Sequence, residues 1–281
     1  MKKIELIQEG VRVECALATC YADLSRNGTL EVLKLAYCSP RTSETELRIW
    51  SLVFVAPPEI KKMLLLPLHR NELLRLLEQI DWAWKSGVGK KPLDAFQLKG
   101  TTYCLPDEEL RLVTTGEFIT AVTYLLAFSS PTGDNGQKAD YLAHFLATIC
   151  RPKQSLARRL KRDKTTWNGD EREAFNSYLI DGRAGRFRSV ELGLQVAIMQ
   201  WFLAAVGRAE RLYNMPAAEK SDTPIALGSF VQDWEKTVHG LAREGNFGPY
   251  DAVMERSIHE VLAYLELRKI EFDEHESKNR D

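Results

Sequence analysis

The sequence predicts a mainly α, multi-helix protein with one small β-hairpin. Three observations predict it. Apolar residues recur at helical spacing over most of the 281 residues. β-forming residues cluster in only two places, "VRVECAL" (11–17) and "FQLKGTTYC" (96–104). The composition, 44% hydrophobic and 27% charged, is that of a chain able to bury a sizeable core.

The elements follow in order. Residues 11–17 alternate apolar and polar and read as a short strand. In "HRNELLRLLEQIDWAW" (69–84), Leu73, Leu77, Ile80 and Trp84 form one helical stripe. "GVGKK" (87–91) lacks the early glycine and the hydroxyl of a phosphate loop and reads as a solvated linker. Lys99-Gly100 sits between β-formers and reads as a hairpin turn. "KADYLAHFLATIC" (138–150) is a helix that Pro152 ends or redirects. "SVELGLQVAIMQWFLAAVGRAERLY" (189–213) is apolar almost all round. It reads as a buried central helix, with a membrane span as the lesser alternative. "SFVQDWEKTVHGLAREG" (229–245) turns Phe230, Trp234, Val238 and Leu241 inward. Gly245 then caps it and Pro249 opens a last helix from about Asp251, bearing Met254, Ile258, Val261, Leu262 and Leu265. Past Ile270 the stripe fades, and the tail is expected to fray.

The expected organisation is a helical unit with a short strand (1–94), a middle unit of hairpin then helices (95–215), and a helical pair with a polar tail (216–281). An echo runs through it. "DLSRNGTLEVLKLAYCSP" (23–40) resembles "RLVTTGEFITAVTYLLAFSSP" (111–131), with Leu24, Gly28 and Leu30 matching Leu112, Gly116 and Phe118. Each copy is a turn, a helix, a Ser-Pro loop and a second helix. Duplication of a helix–loop–helix unit explains this, and so does chance, because such patterns are common.

Charge and cysteines narrow the function. With 38 Lys+Arg against 39 Asp+Glu, no global field attracts nucleic acid or an anionic membrane. Five scattered cysteines without C-x-x-C suggest reduced thiols in a cytoplasm, with neither zinc nor a disulfide framework. Glu5, Glu9, Arg12 and Glu14 break any signal-peptide core. "RPKQSLARRLKRDK" (151–164) holds seven Lys/Arg and is the one basic cluster, with Arg158 and Arg159 at its centre. It reads as a solvated or partner-facing helix, and as a phosphate-binding helix second. "GRAGRFRS" (182–189) puts Arg183, Arg186 and Arg188 on a glycine-rich turn that could hold an anion. His69, His144, His239, His259 and His275 form no metal-binding spacing, and no nucleophile elbow or paired-carboxylate motif occurs. No cofactor or metal is expected.

"LKGTTYCLPDEELRLVTTGEF" (98–118), the following apolar helix with "LATICRPK" (146–153), and "DWEKTVHGLAREGNFGPYDAVMERSIHEVLAYLE" (233–266) resemble helical proteins encoded in phage and prophage tail regions. The resemblance covers about two-thirds of the chain and rests on packing and capping motifs. It implies a non-enzymatic role, as a tail-assembly chaperone or minor structural protein, in the cytoplasm or within a tail particle. It carries over no catalytic residues. The function expected first is therefore protein–protein assembly, with Trp234, Phe247, Tyr250, Arg158, Arg159 and Arg186 as partner-binding residues and tail proteins or self as partners. A nucleic-acid-associated role for residues 151–188 is the alternative. An enzyme whose site assembles from distant residues comes third.

Overall fold

The computed structural model of the chain describes residues 1–8, 11–65, 70–131, 134–155, 169–215 and 227–278. The protein is mainly α, as the periodicity predicts, with two small antiparallel sheets. It divides into two compact units, one of residues 1–92 with 191–204 and the other of 93–190 with 205–281.

The first unit begins with the hairpin β1 (Lys2–Gln8) and β2 (Val11–Leu17), in register from Lys2↔Leu17 to Gln8↔Val11. Helices α1 (Arg26–Cys38) and α2 (Ser43–Val53) follow, and β3 (Phe54–Val55) returns to pair with β2 through Leu17↔Phe54. Ser25 and Thr42 start the two helices, each side chain accepting a backbone N–H in the first turn. α3 (Pro58–Leu65), α4 (Arg70–Glu78) and α5 (Trp82–Lys85) complete this stretch. The stripe read over 69–84 is thus two helices, with Leu77 and Ile80 buried at the break. Trp84 is half-buried and donates from Nε1 to the Ala36 carbonyl at 3.0 Å.

The second unit repeats that order. The hairpin β4 (Ala95–Leu98) and β5 (Thr101–Cys104) is followed by α6 (Thr115–Ser129), α7 (Asn135–Ile149) and β6 (Arg151–Pro152), which pairs back onto β5. Lys99 and Gly100 both have positive φ, 48° and 79°. That is the pair of left-handed residues a two-residue hairpin turn requires. Phe96 and Tyr103 face each other across the hairpin and stack at 6.1 Å, and Phe187 meets Tyr103 edge-on at 4.9 Å. The echo noted over 23–40 and 111–131 therefore extends to a shared topology: hairpin, two helices, third strand. The sequence showed only β2 and the second hairpin. β1 carries charges at Lys2, Lys3 and Glu5, and β3 and β6 are two residues each, too short for any periodicity to register.

The remaining helices are α8 (Ile180–Phe187), α9 (Leu192–Leu212), α10 (Leu227–Glu244), α11 (Tyr250–Glu255) and α12 (Ile258–Lys278). Four expectations change. "GRAGRF" is not a turn but the body of α8, with Ile180, Ala184 and Phe187 buried along one face. The last helix is broken at Arg256-Ser257, because that backbone pairs instead with 113–115. Thr115 N–H donates to the Arg256 carbonyl at 2.7 Å, and Ile258 N–H donates to Val113 at 3.0 Å. The tail past Ile270 is helical to Lys278, although its side chains lie exposed. "GVGKK" is tied down as well, Val88 N–H donating to Gln200 Oε1 at 3.0 Å.

α9 is long and apolar enough, by length and composition, to cross a membrane. Its Ala197, Ile198, Trp201 and Phe202 are fully buried in the protein. Near its start it meets α1 backbone to backbone. A Cβ at Gly193 would run into the carbonyl of Leu30, with the carbonyl carbon 2.8 Å away. A helix backbone cannot swing aside as a side chain can. Gly193→Ala should therefore lose about 1–3 kcal/mol to overpacking, more than the ~1 kcal/mol that alanine gains in a helix interior. Gly207→Ala, later in α9, meets only the Arg211 guanidinium at 3.6 Å. It should gain roughly that propensity term. Paired thermal melts followed by circular dichroism check both signs.

Candidate functional site

The most concentrated polar chemistry lies inside the second unit. Thr114 starts α6 by accepting the Glu117 N–H at 3.2 Å. In a capping box the glutamate at that spacing would reach back to the cap. Here the Glu117 carboxylate, fully buried, points instead to Arg172 Nη1 at 2.7 Å and Arg151 Nη2 at 2.9 Å. Asp170 completes the group, accepting from Arg151 Nη2 at 2.9 Å and from Arg172 Nε at 3.0 Å.

Chain geometry explains how these four meet. β6 presents Arg151 inward, opposite Cys104 of β5. Residues 171–173 then lie antiparallel beside 152–154, joined through an isolated bridge. Gln154 N–H donates to Glu171 at 2.9 Å, Glu173 N–H donates to Pro152 at 2.8 Å, and Lys153 bridges Arg172. Side chains alternate across a strand. Asp170 and Arg172 therefore face the interior, while Glu171 and Glu173 face outward to Lys153 (3.0 Å) and Arg183 (2.6 Å). Arg172 uses its remaining donors on the Ile149 and Leu112 carbonyls at 3.1 and 3.2 Å. Arg151 also donates to the Glu173 carbonyl, and its Nε is buried without a hydrogen-bond partner. Burial pushes the Arg151 ionisation down. The same burial acts on Arg172, but Glu117 and Asp170 outweigh it and hold that guanidinium above its ordinary value.

Two cations and two anions make a neutral, closed clasp. The equivalent strand position in the first unit, Phe54 opposite Leu17, is filled by an aromatic ring stacked on Trp50 at 4.7 Å. The topology therefore accepts an apolar residue where the second unit has Arg151. The clasp ties α6, β6 and residues 170–172 to one another. Arg158 and Arg159 lie outside the described residues. Arg183, Arg186 and Arg188 do not converge on one point: they engage Glu173, the Tyr103 hydroxyl (3.4 Å) and Asp140 (2.5 Å) respectively.

Trp234, Phe247 and Tyr250 are brought together. All three pack on the cluster of Val238, Leu241, Val253 and Val261. Gly245 and Gly248 take φ of 80° and 88°, which lets the chain turn sharply between α10 and α11. Phe247 then meets Tyr264 edge-on at 5.2 Å, and Tyr250 lies on His239 at 4.8 Å. Trp234 is positioned differently. Its ring stands 5.7 Å from Phe118 and lines an apolar pocket of about 260 Å³ with Leu110, Val122, Val206, Met215 and Leu265. Glu210 stands at the pocket wall as its one charged residue. The sequence signals Trp234 through the α10 stripe. The pocket itself draws on α6, α9, α10 and α12, and no local pattern joins them.

The histidines are engaged in pairs. His259 Nε2 donates to the Glu109 carbonyl at 2.7 Å, so Nδ1 accepts from the Tyr213 hydroxyl at 2.9 Å. His144 Nδ1 contacts the Asp140 carbonyl at 2.6 Å, leaving Nε2 3.3 Å from Asp181, an exposed carboxylate. Among the described residues no three His, Cys, Asp or Glu side chains converge to hold a metal ion.

The clasp has a measurable consequence. Removing one member leaves an uncompensated buried charge, so Arg172→Met should cost about 3–5 kcal/mol in denaturant unfolding. Arg188→Met, which breaks an exposed pair with Asp140, should stay within about 1 kcal/mol of wild type.

Compared with known protein families, curated proteins and solved structures, the chain matches none.

Proposed function

We propose that this chain is a non-enzymatic assembly factor acting through protein–protein contacts, and that the assembly it serves is a phage or prophage tail. The observation that carries the reading is the apolar pocket beside Trp234. A large aromatic at the wall of an apolar recess is the arrangement that dominates binding energy at protein interfaces. The nearby α10–α11 corner supports it, because two left-handed glycines and the packed Phe247 hold the end of α10 in one geometry. A recess on fixed helices receives a partner without a large ordering cost. The motifs over 98–153 and 233–266 favour the tail setting, with tail proteins or a second copy as partners. The chain would then work in the cytoplasm or remain in a tail particle.

The test is affinity capture of the full chain from its native host, then sedimentation with the purified captured protein. A stoichiometric complex is expected, and Trp234→Ala, assayed well below its own thermal midpoint, should weaken it more than tenfold, as for an interface anchor. A chain that sediments alone under every condition, or binds equally well without Trp234, overturns the reading.

A further inference from the structure

The pocket beside Trp234 also carries information about what enters it. Its lining is apolar on α6 (Phe118, Val122), α9 (Val206, Ala209) and α12 (Ile258, Leu262), and the one charge is Glu210. Among the described residues nothing hydrogen-bonds or ion-pairs with the Glu210 carboxylate. Arg208, two residues earlier on the same helix, engages Glu109 at 3.1 Å and Glu108 at 3.4 Å. The apolar surroundings hold Glu210 above the ordinary carboxylate range, outweighing the pull of the adjacent Arg211. An anion in such a place is stabilised by a cation brought to it.

Size decides what kind of occupant fits. Sites for drug-sized ligands and cofactors enclose roughly 300–1,000 Å³. At about 260 Å³, this cavity falls just below that range. It suits a single anchoring side chain.

We propose that the pocket seats one aromatic or leucine-sized side chain of a partner protein, with a lysine or arginine beside it reaching Glu210. This deepens the assembly reading and rests on it. The apolar walls supply affinity through buried area, and the carboxylate selects among apolar anchors by the charge next to them. Because Glu210 is exposed, its contribution is selectivity of a few fold rather than the bulk of binding.

The test reads the pocket without needing the native partner, so its failure is separate from failure to find one. The full chain is labelled with 5-fluorotryptophan, and Trp234→Phe assigns the Trp234 line. Three probes are titrated: N-acetyl-Trp-Lys-amide, N-acetyl-Trp-Gln-amide and N-acetyl-Trp-Glu-amide. The lysine probe should shift the Trp234 resonance at the lowest concentration and the glutamate probe at the highest, with about a two- to fivefold step at each change of charge. Glu210→Gln should remove the lysine preference and leave binding of the glutamine probe unchanged. Val122→Phe, filling the pocket from its half-buried wall, should abolish all three shifts at a retained thermal midpoint. No shift of the Trp234 line by any probe overturns the pocket. The same probe order in Glu210→Gln overturns the role of the carboxylate.

Discussion

The second unit depends on one constraint: Arg172 must stay between Glu117 and Asp170. Every one of its guanidinium donors is used, on two carboxylates and two backbone carbonyls. A buried ion pair seldom adds net stability, because the desolvation of both charges offsets their attraction. What it enforces is uniqueness. An apolar residue can slide against its neighbours at small cost, whereas Arg172 in any other register would leave the buried Glu117 with Arg151 as its single cationic partner. That requirement fixes residues 171–173 against β6 and its continuation, and β6 in turn fixes the end of α7. The start of α6 is bound into the same arrangement through Glu117.

The contrast between the two units separates fold from specialisation. Both run through a hairpin, two helices and a returning strand. The first fills the junction with Phe54 on Trp50, and the second with charge. Since an aromatic closes the first sheet, closure alone does not require the clasp. The clasp goes instead with the pairing of residues 171–173 against 152–154, which among the described residues has no counterpart in the first unit.

Much of the helical skeleton was legible in the sequence, and the reasons are local. The α10 stripe, the Gly245 cap, the Lys99-Gly100 turn and the run of α9 each rest on neighbours a few residues apart. What escaped depends on distance along the chain. Glu117 reads as part of a helix start, and Asp170 reads as a counter-charge to a basic run, yet they meet through arginines 34 and 55 residues from Glu117. The break at Arg256-Ser257 is invisible for the same reason, since its cause is a backbone pairing with 113–115. α8 was mistaken for a turn because glycine is a poor helix former. The burial of Ile180, Ala184 and Phe187 outweighs that penalty.

α9 gives the molecule an order of events during its synthesis. Residues 191–204 belong to the first compact unit, although the 98 residues of 93–190 are translated between them and the rest of it. Trp201 and Ile198 are fully buried there. On a ribosome, where domains fold as they emerge, the amino-terminal unit lacks part of its interior until residue 204 has cleared the exit tunnel. The hairpin, helices and strand of the other unit are by then already outside. The portion made first is thus the one that must wait, its apolar surface open to whatever holds nascent chains.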